Sequence, residues 1–181
     1  MFLLPSPLKS SGATLLALVL ALCATPATAR GVYQQPTEFI NEVFGQQQNS
    51  AKLLWLSQQL QTSIKQILGH NYPTLRLRYW QREQTSAWIL EEIGKEKPIT
   101  LGVLINAGKI ERLSVLEFRE SRGSEIRYPF FTKQFYGRSL NQNLKLDEKI
   151  DGISGATLSV RAAKKLARLA LYLHQQVTTK S

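Results

Sequence analysis

The run Asp151-Gly152-Ile153-Ser154-Gly155-Ala156-Thr157-Leu158-Ser159 is the segment whose residue types and spacing best suit chemistry. It is a loop of small residues that leads into a helical pattern. Unpaired backbone N–H groups at a helix amino terminus, with the helix dipole behind them, favour a phosphate. The Thr157 hydroxyl stands at that terminus, and Gly155 and Ala156 remove bulk beside it, so that another enzyme's active site could close over it. Asp151 lies six residues earlier, placed to orient the loop or to help position a metal ion during modification. The plainer reading of the same residues is an ordinary helix cap.

Other reactive groupings are sparse. His70 and His174 are far apart and show no metal-ligand spacing, which argues against a metal site. Ser154 lacks the G-x-S-x-G surround of a hydrolase nucleophile, which argues against a Ser-His-Asp triad. Glu91 and Glu92, before the Gly94-Lys95 turn, read as a solvated strand end. Arg76 and Arg78 read as an exposed sheet face or a partner contact, and Trp55, Trp80 and Trp88 as packing residues.

These residues need elements to position them. Apolar spacing predicts a short helix over 36–44. It predicts a longer one over 51–68, with Leu53, Leu56, Leu60, Ile64 and Ile67 on one face and Gly69 at the stop. Residues 46–50 (QQQNS) read as a polar linker. Residues 75–80 alternate apolar and basic side chains, as a half-buried strand does, and a second strand is expected over 86–90. Residues 99–105 and 110–118 form a hairpin about Asn106-Ala107-Gly108-Lys109, since Asn and Gly tolerate the positive backbone angles of tight turns. An aromatic segment follows at 128–136, where Phe130, Phe131, Phe135 and Tyr136 either wall a ligand pocket or build core. A closing helix over 159–175 turns Val160, Ala163, Ala167, Ala170 and Leu171 inward and Arg161, Lys164, Lys165 and Arg168 outward. Strands cluster in the middle and helices at the ends, which makes the fold class α+β.

The chain has 181 residues, a length that suits one compact domain. Lys9, the apolar run 13–23 and the small-x-small Ala27-Thr28-Ala29 read as a secretory leader over 1–29, followed by a single mature domain over 30–181. The apolar run is shorter than the roughly 20 residues that span a bilayer. An uncleaved signal anchor is the alternative, while Leu22 before Cys23 argues against a lipoprotein, where a small residue would stand. Cys23 is the only cysteine, so the mature chain is expected to form no disulfide, thiolate metal site or cysteine nucleophile. The formal charge is +10. Export would place this basic chain in the periplasm, possessing no access to nucleic acid. An anionic membrane surface at the outer face of the cytoplasmic membrane, an acidic redox partner or simple solubility each fits the charge.

Asp151-Gly152-Ile153-Ser154-Gly155-Ala156-Thr157 closely resembles the flavinylation motif of FMN-binding domains. That family occurs in the periplasmic C subunit of sodium-translocating NADH:quinone reductases, in the G subunit of Rnf complexes and in many exported flavoproteins. The resemblance implies an antiparallel, partly curled sheet with flanking helices. It implies FMN held covalently on Thr157 through its phosphate, installed by a separate flavin transferase that uses FAD and magnesium. Asp151, Gly152, Ser154, Gly155 and Ala156 fall on the motif's other restricted positions, with Leu158 and Ser159 completing the setting. The likeness covers residues 98–173, inside an FMN-binding core of about 96–177, and leaves 30–95 as a helical and strand extension.

Glu120-Ser121-Arg122-Gly123 stands where many members of the family have Glu-Thr-Pro-Gly near the flavin. The resemblance implies that Glu120 contacts the ring edge or orients the loop and that Gly123 permits close backbone approach; a solvated turn is the alternative, and Arg122 replaces the usual proline. Ser11-Gly12-Ala13-Thr14 repeats the letters SGAT, but Leu8 stands where the aspartate belongs. The function implied is that of an exported electron-transfer carrier or redox subunit, linking a membrane reductase to a cytochrome or another acceptor. A self-sufficient flavin reductase and a noncatalytic adaptor without flavin are the alternatives.

Overall fold

Five segments of the chain pair into one antiparallel sheet, partly alternating buried and exposed side chains, with residues 98–106 buried almost throughout. In the computed structural model, which describes residues 31–45 and 50–179, these are β1 (Lys52–Trp55), β2 (Arg76–Arg82), β3 (Thr85–Ile93), β4 (Pro98–Asn106) and β5 (Lys109–Phe118). The expected leader, the apolar run and residues 46–49 of the polar linker lie outside the described residues. Strand order follows chain order, so β1 and β5 are the two edges of an open sheet. Among the described residues four α-helices flank it: α1 (Pro36–Phe44), α2 (Gln58–Leu68), the single turn α3 (Pro129–Thr132) and α4 (Thr157–Thr178). The fold is α+β, as the element pattern predicts.

One face of the sheet carries the main core. Leu77, Trp88, Leu90, Leu101, Val103, Ile105, Leu113 and Val115 pack there against α2 and α4. The inward stripe of α4 is small, with Ala162, Ala163, Ala167 and Ala170 buried, which lets the helix approach the strands closely. The opposite face holds a second core, where Phe39, Ile40 and Phe44 of α1 meet Ala87, Leu104 and Leu116. Gly102 of β4 makes room for it: a Cβ there would lie 2.8 Å from two atoms of the Phe39 ring.

The far end of α4 is pinned by a buried polar network. His174 Nε2 accepts the Gly108 N–H at 3.1 Å, and Nδ1 lies 2.8 Å from Ser86 Oγ, which also accepts the Trp88 indole N–H at 2.8 Å. Burial pushes the His174 pKa down and favours the neutral ring. With Nε2 accepting, the remaining proton sits on Nδ1 and is donated to Ser86.

Several expectations are corrected. Residues 51–57 are not helical: β1 pairs with β2 instead, and the helix starts only after Ser57, whose Oγ accepts the Leu60 N–H at 3.3 Å. The apolar spacing through 53–56 fits either element, and the free edge of β2 offers backbone partners that a longer helix would forgo. Trp55 is therefore not a packing residue and stands 64% exposed, whereas Trp88 is fully buried and stacked on Tyr79 at 4.9 Å. Glu92 is not solvated. Strand alternation sends its carboxylate under α4, between His70 Nε2 and Lys165 Nζ, each at 2.9 Å, while Glu91 faces outward. In the hairpin turn it is Ala107 and Gly108, not Asn106, that take positive φ, because Asn106 still pairs with Lys109.

Gly102→Ala is expected to lower the unfolding free energy by about 1–3 kcal/mol through overpacking against Phe39. Urea denaturation of the single and double variants checks this: Phe39→Leu should relieve part of the loss, giving a coupling of about 1 kcal/mol.

Candidate functional site

Thr157 is the first residue of a 22-residue helix, exposed at its amino terminus. The cap position belongs to Ala156, which has no side-chain acceptor, and no side chain caps the helix there. No acidic residue stands in the first turn. The first N–H groups of α4 and the positive end of its dipole are thus directed outward beside a free hydroxyl. Ala156 is held in place by burial and by its N–H, donated to the Ile153 carbonyl at 3.0 Å, while Gly155 turns the chain into the helix with φ +80°. Ser159 is buried and Leu158 is 38% exposed.

Two other segments close around this end. Lys95, Glu120, Ser121 and Arg122 join residues 155–159 in lining an open cleft of about 580 Å³. Glu120 holds the first of these segments to the second: its Oε1 accepts backbone N–H groups from Lys95, Glu96 and Lys97 at 2.5, 2.6 and 2.9 Å. Desolvation pushes the Glu120 pKa up, but those three donors and the Lys95 charge together outweigh it and hold the carboxyl below its ordinary 4.5. Gly94 allows the approach, since a Cβ there would lie 2.9 Å from Glu120 Oε1.

Gly123 brings the loop onto the helix. Its φ is +89°, and a Cβ would fall 2.5 Å from Ser159 Oγ and 3.4 Å from the Ala156 side chain. Loop 120–123 and the start of α4 therefore meet at a distance only glycine permits. Of the expected site residues, Glu120, Gly155, Ala156, Thr157, Leu158 and Ser159 line one cleft, and Gly123 packs beneath it.

Asp151, Gly152 and Ser154 lie in the exposed connection leading to the helix and do not line that cleft. Asp151 is anchored by its backbone N–H, donated to Gln134 Oε1 at 2.7 Å. Phe131 and Phe135 are buried edge to face at 5.4 Å, and Phe130 and Tyr136 are exposed; none of the four lines the Thr157 cleft. The Gly94-Lys95 turn is legible in the sequence, but Lys95 is not among the site residues that sequence reasoning picks out. The placement of Lys95 beside the cleft depends on contacts of that turn with Glu120, which no local signal reports. Among the described residues no group of three or more His, Cys, Asp or Glu side chains is arranged to hold a metal ion.

The residues present suit a phosphate monoester. Two cations, three hydroxyl residues and an uncapped helix start line one cleft, and the nearby carboxylate has an oxygen already committed to three backbone donors. The family model described as FMN-binding domain matches residues 94–172, a span that contains the cleft residues. No curated protein and no solved structure matches the chain.

Glu120→Gln is expected to destabilise the protein by about 1 kcal/mol at pH 7, after discounting for solvent screening. Because the folded pKa is depressed, that contribution is present above 4.5 and is lost as pH falls through the folded value. Thermal melts of both proteins should therefore converge under acid. Gly123→Ala should cost about 1–2 kcal/mol from the left-handed backbone alone, with the Ser159 clash adding to it. Gly152→Ala, whose Cβ meets nothing within 4 Å, should be near neutral in the same denaturation assay.

Proposed function

Because residues 94–172 are an FMN-binding domain, we propose that this flavin-binding protein carries its FMN covalently on Thr157 and works outside the cytoplasm as an electron carrier or redox subunit. The observation that carries the reading is the exposed Thr157 hydroxyl on an uncapped helix start, in a cleft shared with Lys95 and Arg122. Thr157 Oγ1 would form the bond to the FMN phosphorus. A separate transferase would supply FAD; its pyrophosphate bond breaks, AMP leaves, and the threonine proton passes to a base on that transferase. Exposure of Thr157 supports such a route, because a second enzyme must reach the hydroxyl.

When bound, FMN supplies reversible electron transfer through its isoalloxazine ring. This chain's own groups do the holding. The first N–H groups of α4, with Lys95 and Arg122, neutralise phosphate charge, and Glu120 keeps the turn that carries Lys95 beside the loop that carries Arg122. A phosphoester at Thr157 retains the cofactor where diffusion would otherwise remove it. The apolar segment 13–23 with Ala27-Thr28-Ala29 supports export to the periplasm. Electrons would enter from a membrane reductase and leave to a cytochrome or a similar acceptor, with the donor and acceptor sites supplied by those partners.

Co-expression of the full chain with a flavin transferase tests the reading by intact mass and in-gel flavin fluorescence. Wild type and Thr14→Ala should both gain one FMN group, and Thr157→Ala should gain none. No added mass in wild type, while a control substrate is labelled in the same cells, would leave noncovalent flavin binding or an adaptor role.

A further inference from the structure

The outer face of β1 and β2 is an apolar and cationic surface with no carboxylate on it. Leu54, Leu77 and Tyr79 point to the main core, so the alternate residues of these strands point the other way. Register sets Leu53 opposite Arg78 and Trp55 opposite Arg76 on that outer side. Trp80, next in the alternation, is packed against the small core under α1, but α1 does not extend over the rest. Trp55 is 64% exposed and Leu53 48%. The Arg76 guanidinium lies 5.8 Å from the Trp55 ring centroid.

On β1 and β2 themselves the charge is of one sign. The outward positions of β2 carry Arg76, Arg78 and Arg82, and residues 43–82 contain no Asp or Glu. Among the described residues, neither Arg76 nor Arg78 has an ion-pair partner. A Trp and a Leu left in water beside arginines without an ion pair mark an interaction surface. Its composition is that of a bilayer interface: indole rings settle at headgroup depth, aliphatic side chains enter the acyl boundary, and arginine binds lipid phosphate.

We propose that this face docks on an anionic phospholipid bilayer, with Trp55 and Leu53 in the headgroup region and Arg76 and Arg78 on lipid phosphates. The inference does not depend on flavin attachment, since none of these residues lines the Thr157 cleft.

The test uses the full chain with vesicles of mixed phosphatidylglycerol and phosphatidylcholine, some with brominated acyl chains, and with pure phosphatidylcholine vesicles. Tryptophan fluorescence reports on the described fold alone, because residues 1–30 contain no Trp and the apolar segment is common to every variant. Brominated anionic vesicles should quench wild type, and the quenching should be lost in Trp55→Phe. Replacing Arg76 and Arg78 together by Gln should lower the partition coefficient roughly thirtyfold, at about fivefold per cation, and salt should do the same. The same charge change at Lys145 and Lys149 should stay within about twofold. All substituted residues are exposed, and thermal melts check that each variant folds. No vesicle binding by wild type, unchanged quenching in Trp55→Phe, or equal loss in the lysine pair would overturn the proposal. So would a concentration-dependent dimer that buries Trp55, which would assign the face to a second copy, or capture of the face by an acidic polypeptide with no binding to vesicles.

Discussion

A long helix can lie close to a sheet only where its inner stripe is small, and α4 meets that condition with Ala162, Ala163, Ala167 and Ala170 buried between Leu166, Leu169 and Leu173. The contact removes apolar surface from water on both sides and leaves little freedom for the helix to slide, because the interior is close-packed. Both ends are then locked. At one end Ser159 and Ala156 sit under Gly123; at the other, His174 is bonded to Ser86 on β3 and to the β4–β5 turn. Where Thr157 stands is a consequence of that seating.

The cleft assembles three segments that are distant in sequence: 94–97, 120–123 and 155–159. Glu120 joins the first two through three N–H donors to one oxygen, and Gly123 joins the second to the third by the absence of a side chain. Glu120 is thus a positioning residue in this arrangement. The anion-binding character of the site comes from the backbone of α4 and from two flanking cations, an arrangement that retains a phosphate while leaving the hydroxyl reachable.

The FMN-binding domain match begins at Gly94, so β1, β2, β3, α1 and α2 precede it and build onto its two-stranded hairpin. This added region is not independent packing: Trp88 and Leu90 of β3 share one core with α4, and Phe39 of α1 fills the space over Gly102 on β4. It widens the sheet to five strands and covers part of its second face. The uncovered part is the surface rich in arginine, tryptophan and leucine, at the sheet edge opposite β5. The two surfaces of interest are therefore held on one framework while using separate residues.

By itself the sequence determined the α+β class, the hairpin at 98–118, the terminal helix and the Thr157 motif, because each is written in local periodicity or in a contiguous run of residues. Helix α1 and strands β2 and β3 were legible for the same reason, to within a few residues. Tertiary structure decided the remainder. Whether 52–55 is helix or strand depends on β2 being present to pair with it; whether Glu92 is solvated depends on α4 lying above it with Lys165; and whether Trp55 is core depends on how far α1 reaches. The role of Glu120 likewise required the β3–β4 turn to arrive beside it. These outcomes rest on contacts between segments tens of residues apart, and no local pattern encodes a partner that only folding supplies.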